Sequence, residues 1–474
     1  MFWQIVRKEI LESLLSVRFT LAIVFSIVLF AASTFFSVDR YRAQSQEYWR
    51  RVNENLTGFR RQSDQLCKLA FYEQNAYRQP KVLALCAGGS EDLLPGHFTF
   101  DGFDISLPQI AGQSNFTLPR FSDLDWAFII SLVLSFTAFV FAYDCICGEK
   151  ETGTLRLILS GATPRVTLLL AKYVGLMLTL AIPLFMGLAV ALIILIASGA
   201  ETAGLVPWAR VVGIVLTSFL YLSIFVFLGM FVSARAARPA NSMAALLLAW
   251  VVLLIVIPSL GRLVSDKFSH AHTPEEFQRA KSEAQKQIDD RFISGAYGPN
   301  AGATGSNRDD PSVNPRGRAQ GTIEGTEALN RVVDAHHERM LAQAEAGRRF
   351  TCISPAVVYR RVCEIIACTG IDRSRSLYRQ IKTYQQNLRD FIISEDRSDP
   401  DSLHILFDDA PRVAEWTTIS HKPPSFEAVP KFLERDLALG ESLGLAVWDL
   451  GLLALFNLVF FAGAWISFAR YDVR

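Results

Sequence analysis

Six charge-free apolar runs constrain this chain more than any other feature: Phe19–Val38, Trp126–Tyr143, Tyr173–Ala200, Val211–Ala234, Pro239–Gly261 and Leu450–Ala469. Each is about the ~20 residues that a helix needs to cross ~30 Å of hydrocarbon. They predict an all-α polytopic membrane protein with six transmembrane helices, at residues 19–38, 126–143, 167–198, 208–234, 239–261 and 443–469. The composition agrees: 51% of the 474 residues are hydrophobic, only 20% are charged, and the mean hydropathy is +0.25. A net charge of +1 and the lack of a basic cluster with interleaved aromatics exclude a strongly basic nucleic-acid binder.

The first run is too long for the apolar region of a cleaved signal peptide, and eighteen residues precede it, so it reads as a retained helix. Lys and Arg in the short loops set the orientation. Arg7, Lys8 and Arg18, then Lys150, Arg156 and Arg165, then Arg235 and Arg238, then Arg470 and Arg474 fall on one side. Residues 1–18, 144–166 and 470–474 are therefore expected in the cytoplasm. Residues 39–125 and 262–442 are expected outside, and they hold more than half the chain.

The pattern in these segments is helical. Residues 1–18 form an amphipathic interfacial helix, with Trp3, Val6, Ile10, Leu14 and Val17 on one stripe and Arg7, Lys8, Glu9 and Glu12 mostly on the other faces. The charged run after Val38 continues the first membrane helix outward. Thr273, Pro274 and Glu276 make a capping box for a helix that ends near Ile293. Ser294–Gly321 is dense in Gly, Pro, Asn and Asp and reads as a loop, with helices following from about Ile323 to Arg349 and from Ser354-Pro355 to Cys368. The outer domain should be mainly helical, with little strand signal.

Five of the seven cysteines lie in the outer segments. An oxidising compartment would suit a Cys67–Cys86 disulfide; buried thiols are the other reading. No P-loop, HExxH or GxSxG stands in the chain, so no catalytic site is assigned. His270, His272, His336 and His337 could approach one another, but no ligand spacing supports a metal, and structural or exposed histidines are expected. Lys172, Asp144 and Asp449 lie near helix ends and read as anchors reaching for the interface. Asn457 is deep and polar, and reads as a helix–helix hydrogen bond.

One stretch remains, CGEKETGTLRLILSGATPR, Cys147–Arg165, a charged elbow between two membrane helices. Leu155, Ile158 and Leu159 recur at i, i+3 and i+4 and form an apolar stripe, suited to a groove on a soluble partner. Gly153 suggests a break in the helix or a close neighbour.

The stretch resembles the signature of ABC transporter permeases of the type-2 exporter class, through Glu149, Glu151, Gly153, Thr154, Leu155, Ser160 and Arg165; Pro164 departs from the usual placement. Residues 354–391 and the ending FARYDVR resemble a subgroup with a large extracytoplasmic insertion between helices 5 and 6. The resemblance implies a coupling helix that docks on a cytoplasmic ABC ATPase, with Glu149, Glu151, Leu155, Ile158 and Leu159 transmitting its closure. It also implies a second permease subunit, identical or similar, and a place in the bacterial inner membrane. ATP and Mg would sit on the ATPase, with no cofactor in this chain. A periplasmic protein is a further conceivable partner, and a mechanical device acting on one is the alternative to transport.

Overall fold

Ser16 divides the first helical run in two. It sits in extended backbone, and its hydroxyl accepts the Phe19 amide at 3.3 Å, capping a new helix. Helix α1 (Phe2–Leu14) precedes it and α2 (Val17–Gln62) follows. At 1.5 Å per residue, α2 is about 70 Å long, roughly twice the apolar thickness of a bilayer. Its apolar half forms the first span, and its charged half projects beyond it, held in register by Arg50 and Arg51 on Glu47. The continuation of the first span outward is thus one unbroken helix.

The computed structural model describes residues 2–89, 96–103, 105–106, 124–160, 164–199, 205–260, 274–299, 301, 314–405 and 419–470. After α2 come α3 (Leu66–Ala70) and strand β1 (Gln74–Tyr77), then β2 (His97–Phe100) and β3 (Ile105–Ser106). The three strands form one small antiparallel sheet in the order β1-β2-β3, with Tyr77 opposite His97 and Thr99 opposite Ser106. The second span is built from α4 (Trp126–Ile129), a π turn at Ile130–Leu134 and α5 (Ser135–Ala142). Two short helices follow, α6 (Cys147–Glu151) and α7 (Thr154–Ser160). The third and fourth spans are α8 (Arg165–Ala197) and α9 (Leu205–Arg235). The fifth is α10 (Pro239–Val251), continued by a π turn at Val252–Val256.

Four helices then form the large segment's frame: α11 (Pro274–Ile293), α12 (Pro315–Phe350), α13 (Pro355–Ala367) and α14 (Ile371–Arg397); the sixth span is α15 (Leu439–Ala469). Among the described residues, six helices are long and apolar enough to cross a membrane, and the chain is an all-α polytopic membrane protein. The loop expected to reach Gly321 ends sooner. Asn314 caps α12 through the Gly317 amide at 3.1 Å, and Pro315 starts it, so Gly317 and Gly321 lie inside a helix. Thr273 of the expected capping box lies outside the described residues.

The placement of α13 departs from the expectation of an outer-domain helix. It is buried in the same apolar cluster as the spans, against the second, fourth, fifth and sixth. Thirteen residues reach about 20 Å, too short to cross but long enough to fill the bundle from one end. Tyr359 is fully buried, stacked on Tyr221 at 4.4 Å, and its hydroxyl meets Ser218 at 2.8 Å. The two π turns widen their helices and leave carbonyls to spare. Tyr221 donates to Ser131 O at 2.9 Å, and Ser354 donates to Leu253 O at 2.5 Å. The remaining outer core is separate, with Phe59, Leu69, Leu388 and Ile392 in one cluster and Phe98, Phe100, Ile381 and Tyr384 in another.

Candidate functional site: a charged elbow locked to the bundle

The elbow of residues 147–160 consists of α6 and α7 joined at a sharp turn. Gly153 makes that turn with φ of +75°, a left-handed conformation that disfavours any side chain, and its position faces open space. The glycine therefore marks a break in the helix and not a close neighbour. Thr152 and Thr154 flank it with hydroxyls 2.9 Å apart, and Thr152 also donates back to Gly148 O at 3.0 Å.

The apolar stripe faces inward. Leu155 is fully buried in the main core and Ile158 packs against that core, while Leu157 is 77% exposed. Leu155 and Ile158 thus fasten the elbow to the bundle, and the exposed face presents Glu151, Thr152, Thr154 and Leu157. The side chain of Leu159 lies outside the described residues, as does Thr163. Lys150 donates to the Ala234 carbonyl at the end of α9. The amides of Ile146 and Cys147 both reach Ser233 Oγ at 3.1 Å. Arg165 donates to the Ala469 carbonyl, so the start of α8 holds the end of α15, a favourable place for a cation.

Glu149 has a different role from Glu151. Its Oε1 accepts Lys172 Nζ at 2.9 Å and Lys8 Nζ at 3.4 Å. Lys172 also contacts Glu9 Oε1 at 2.6 Å. Lys172 is 1% exposed and Glu9 is 8% exposed, so three elements meet at a buried ion cluster: α1, the elbow and α8. Burial pushes the Glu9 carboxyl above its ordinary range, and Lys172 pulls it back. Gly175, one turn from Lys172, lets α1 approach: a Cβ there would lie 2.8 Å from Glu9 Cβ. Lys172 is therefore no interfacial anchor, and Glu9 does not share the exposed face expected of it. Asp144 is likewise paired, with Arg18 at 2.9 Å.

At the opposite end of the bundle, ionic contacts tie the outer domain down. Arg360 and Arg361 of α13 reach Asp125 at 3.5 Å and Asp449 at 3.2 Å. Asp449 is 4% exposed and lies about three turns inside α15, so it too is a buried partner and not an anchor. Arg210, 4% exposed, donates to Ile366 O at 2.6 Å, Leu437 O at 2.6 Å and Ser442 Oγ at 3.2 Å, joining α9, α13 and the approach to α15. The sequence signal for α13 was its length: a thirteen-residue, largely apolar run between two polar stretches is a core or re-entrant segment more often than a surface helix. Asn457 donates to Leu220 O at 2.9 Å, the expected bond between helices.

The expected Cys67–Cys86 bond does not form. Cys67 packs with Phe59 and Leu69 in the outer domain, whereas Cys86 packs with Trp126 and Ala127 in the bundle core, and burial raises its thiol well above the usual range. His270 and His272 lie outside the described residues. His337 is fully buried, 4.1 Å from the Tyr378 ring and 6.2 Å from Phe98, a structural histidine. Among the described residues, no three His, Cys, Asp or Glu side chains are placed to hold a metal.

The geometry is that of a membrane bundle with an exposed charged elbow at one end and a domain clamped to the other. The family of ABC-2 transporter proteins matches residues 3–473. Two curated relatives carry the name "Probable ABC transporter permease protein NosY". That of Stutzerimonas stutzeri is 37% identical over 101 residues, covering 21% of this chain and 36% of the relative. That of Pseudomonas aeruginosa is 30% identical over 159 residues, covering 32% of this chain and 57% of the relative. In neither does the match reach two thirds of the relative's length. With a family match spanning nearly every residue, the chain belongs to the ABC-2 transporters, as a multi-pass membrane permease.

Proposed function

We propose that this chain is the membrane subunit that receives the movement of a separate ATPase and uses it to carry a substrate across the plasma membrane, in the direction of export. The elbow's construction carries the reading. Its inner face, Leu155 and Ile158, is fixed in the bundle, and its outer face, Glu151, Thr152 and Leu157, is exposed for a partner. A push on that face passes into α8 and α1 through Glu149, Lys172 and Glu9. Basic residues concentrate on the same side, which supports a cytoplasmic elbow and cytoplasmic termini in a bacterial inner membrane. ATP and Mg sit on the ATPase, and a second permease, identical or similar, completes the complex. The permease name of the two relatives supports this assignment. The length of the segment between the fifth and sixth spans supports a subgroup with a large outer insertion.

A second reading is favoured by α13. The bundle's domain end is filled by Tyr359, Val362 and Ile366, so ATPase movement has a direct mechanical route to the outer domain. That domain would then act on a periplasmic protein. Glu151→Lys decides the shared premise: ATPase stimulation in the reconstituted complex is abolished while membrane insertion persists. Unchanged stimulation would sink it. Substrate flux into sealed vesicles then separates transport from mechanics.

A further inference from the structure

Two thiols from separate outer segments are sealed together in the apolar cluster at the domain end of the bundle. Cys86 and Cys363 are both 0% exposed. Cys86 closes a short turn at Val82–Leu85 and is anchored to the start of the second span. Its carbonyl accepts the Ala127 amide at 2.8 Å, and the Gly88 amide donates to Asp125 at 2.8 Å. On α13, Arg360, Cys363, Glu364 and Ala367 share one face at helical spacing. That face covers the Cys86 segment. Arg360 reaches Asp125 at 3.5 Å, and Ala367 lines a small cleft together with Cys86. Just beyond the helix, Thr369 Oγ1 donates to Ala87 O at 2.7 Å. Cys363 lies between Arg360 and Ala367 on the covered face.

Burial raises the Cys86 thiol, and its neighbour Cys363 raises it further, ahead of Asp125. The other cysteines face elsewhere. Cys67 sits in the separate outer cluster, and Cys352 is exposed. The Cys368 thiol accepts from Arg210 at 3.0 Å, beside Ser442 Oγ at 3.7 Å. Cys145 and Cys147 adjoin Ser233 at the elbow, at the opposite end of the bundle.

We propose that Cys86 and Cys363 are joined by a disulfide in the mature protein. The bond depends on the orientation proposed above, which puts both segments in an oxidising compartment. The oxidant is a disulfide-bearing thiol oxidase of that compartment. One cysteine thiolate attacks the oxidase disulfide and expels a thiolate, giving a mixed disulfide; the second thiolate then displaces the oxidase. One S–S bond forms and one breaks, and the two electrons and two protons leave with the oxidase as a dithiol. The exchange precedes the seating of α13, because both sulfurs are sealed afterwards. The Tyr359 hydroxyl gives up its contact with the Cys363 thiol but keeps Ser218 at 2.8 Å. The bond closes a loop around the second to fifth spans and fastens the first outer segment to α13.

The test traps thiols in cells making the full chain, with N-ethylmaleimide added in denaturant at lysis. Peptide mass spectrometry follows, with and without reduction. A linked peptide holding Cys86 and Cys363 is expected, lighter by two hydrogens than the free pair and lost on reduction. Cys363→Ala should leave Cys86 alkylated before reduction, and Cys67→Ala should leave the linked peptide unchanged. Alkylation of both Cys86 and Cys363 without reduction overturns the proposal, as does linkage of either to another cysteine. Orientation is read separately, with an impermeant maleimide on spheroplasts carrying Ser282→Cys, an exposed position of α11. Labelling there above the parent, with Cys86 and Cys363 both alkylated, removes the bond and keeps the orientation. No added labelling overturns the orientation, and the proposal with it.

Discussion

Lys172→Met tests whether the ion cluster joins α1 and the elbow to the bundle. Met keeps the shape of the side chain and removes its charge. In the parent, Lys172 lies 2.6 Å from Glu9 and 2.9 Å from Glu149. At an effective dielectric near 20, each attraction is roughly 6 kcal/mol, most of it offset by the desolvation of the buried Glu9 and Lys172 and the half-buried Glu149. Deleting the cation leaves two carboxylates facing one another, and losing one partner of a buried ionic group costs about 3–5 kcal/mol. The midpoint of an SDS titration in mixed micelles should fall accordingly, and α1 should become open to protease at Arg7 and Lys8. The triple variant Glu9→Gln, Glu149→Gln, Lys172→Met should recover to within about 1–2 kcal/mol of the parent, because a neutral isosteric group carries no desolvation penalty. A single variant within about 1 kcal/mol of the parent would falsify the reasoning, as would a triple variant no better than the single.

The two leucines of the elbow should separate. Leu155→Ala removes a fully buried side chain and should cost about 2–5 kcal/mol, whereas Leu157→Asp, at a residue 77% exposed, should leave stability within about 0.5 kcal/mol and impair ATPase binding in a pull-down. Tyr359→Phe should cost about 0.5–1.5 kcal/mol by unmaking the bond to Ser218, and Tyr359→Ala about 3–5 kcal/mol, read from the same SDS titration. Burial holds the His337 ring at about 4 instead of 6.5. The unfolded chain binds a proton there first, so the outer domain should have its full share of stability above pH 6.5 and lose it as pH falls towards about 4, by about 3 kcal/mol. His337→Phe should flatten that part of a stability–pH profile measured by denaturant unfolding.

Much of the fold was legible because hydropathy in a membrane chain is a long, local signal. Charge-free runs marked all six spans, and the capping chemistry of Ser354-Pro355 marked the start of α13. The elbow's existence and its break at Gly153 were legible for the same reason: charge and a glycine are properties of one short stretch. Its facing was not. A stripe at i, i+3 and i+4 shows that one side is apolar, but it does not distinguish a bundle from a partner as the surface that covers it. Leu155 turned out to be covered by the chain itself.

Residue identities alone thus determined the class, the spans and the location of the charged elbow. Tertiary structure decided which charges meet. Glu9, Glu149 and Lys172 are far apart in sequence, and each alone reads as an exposed or interfacial group. Only packing α1 over Gly175 buries Glu9 and Lys172, half-buries Glu149 and makes their pairing obligatory, since an ion removed from water must find its opposite. The same holds for α13. Its length and composition permit a surface helix, but the bundle has a space that it fills, and Arg360 and Arg361 find Asp125 and Asp449 only there.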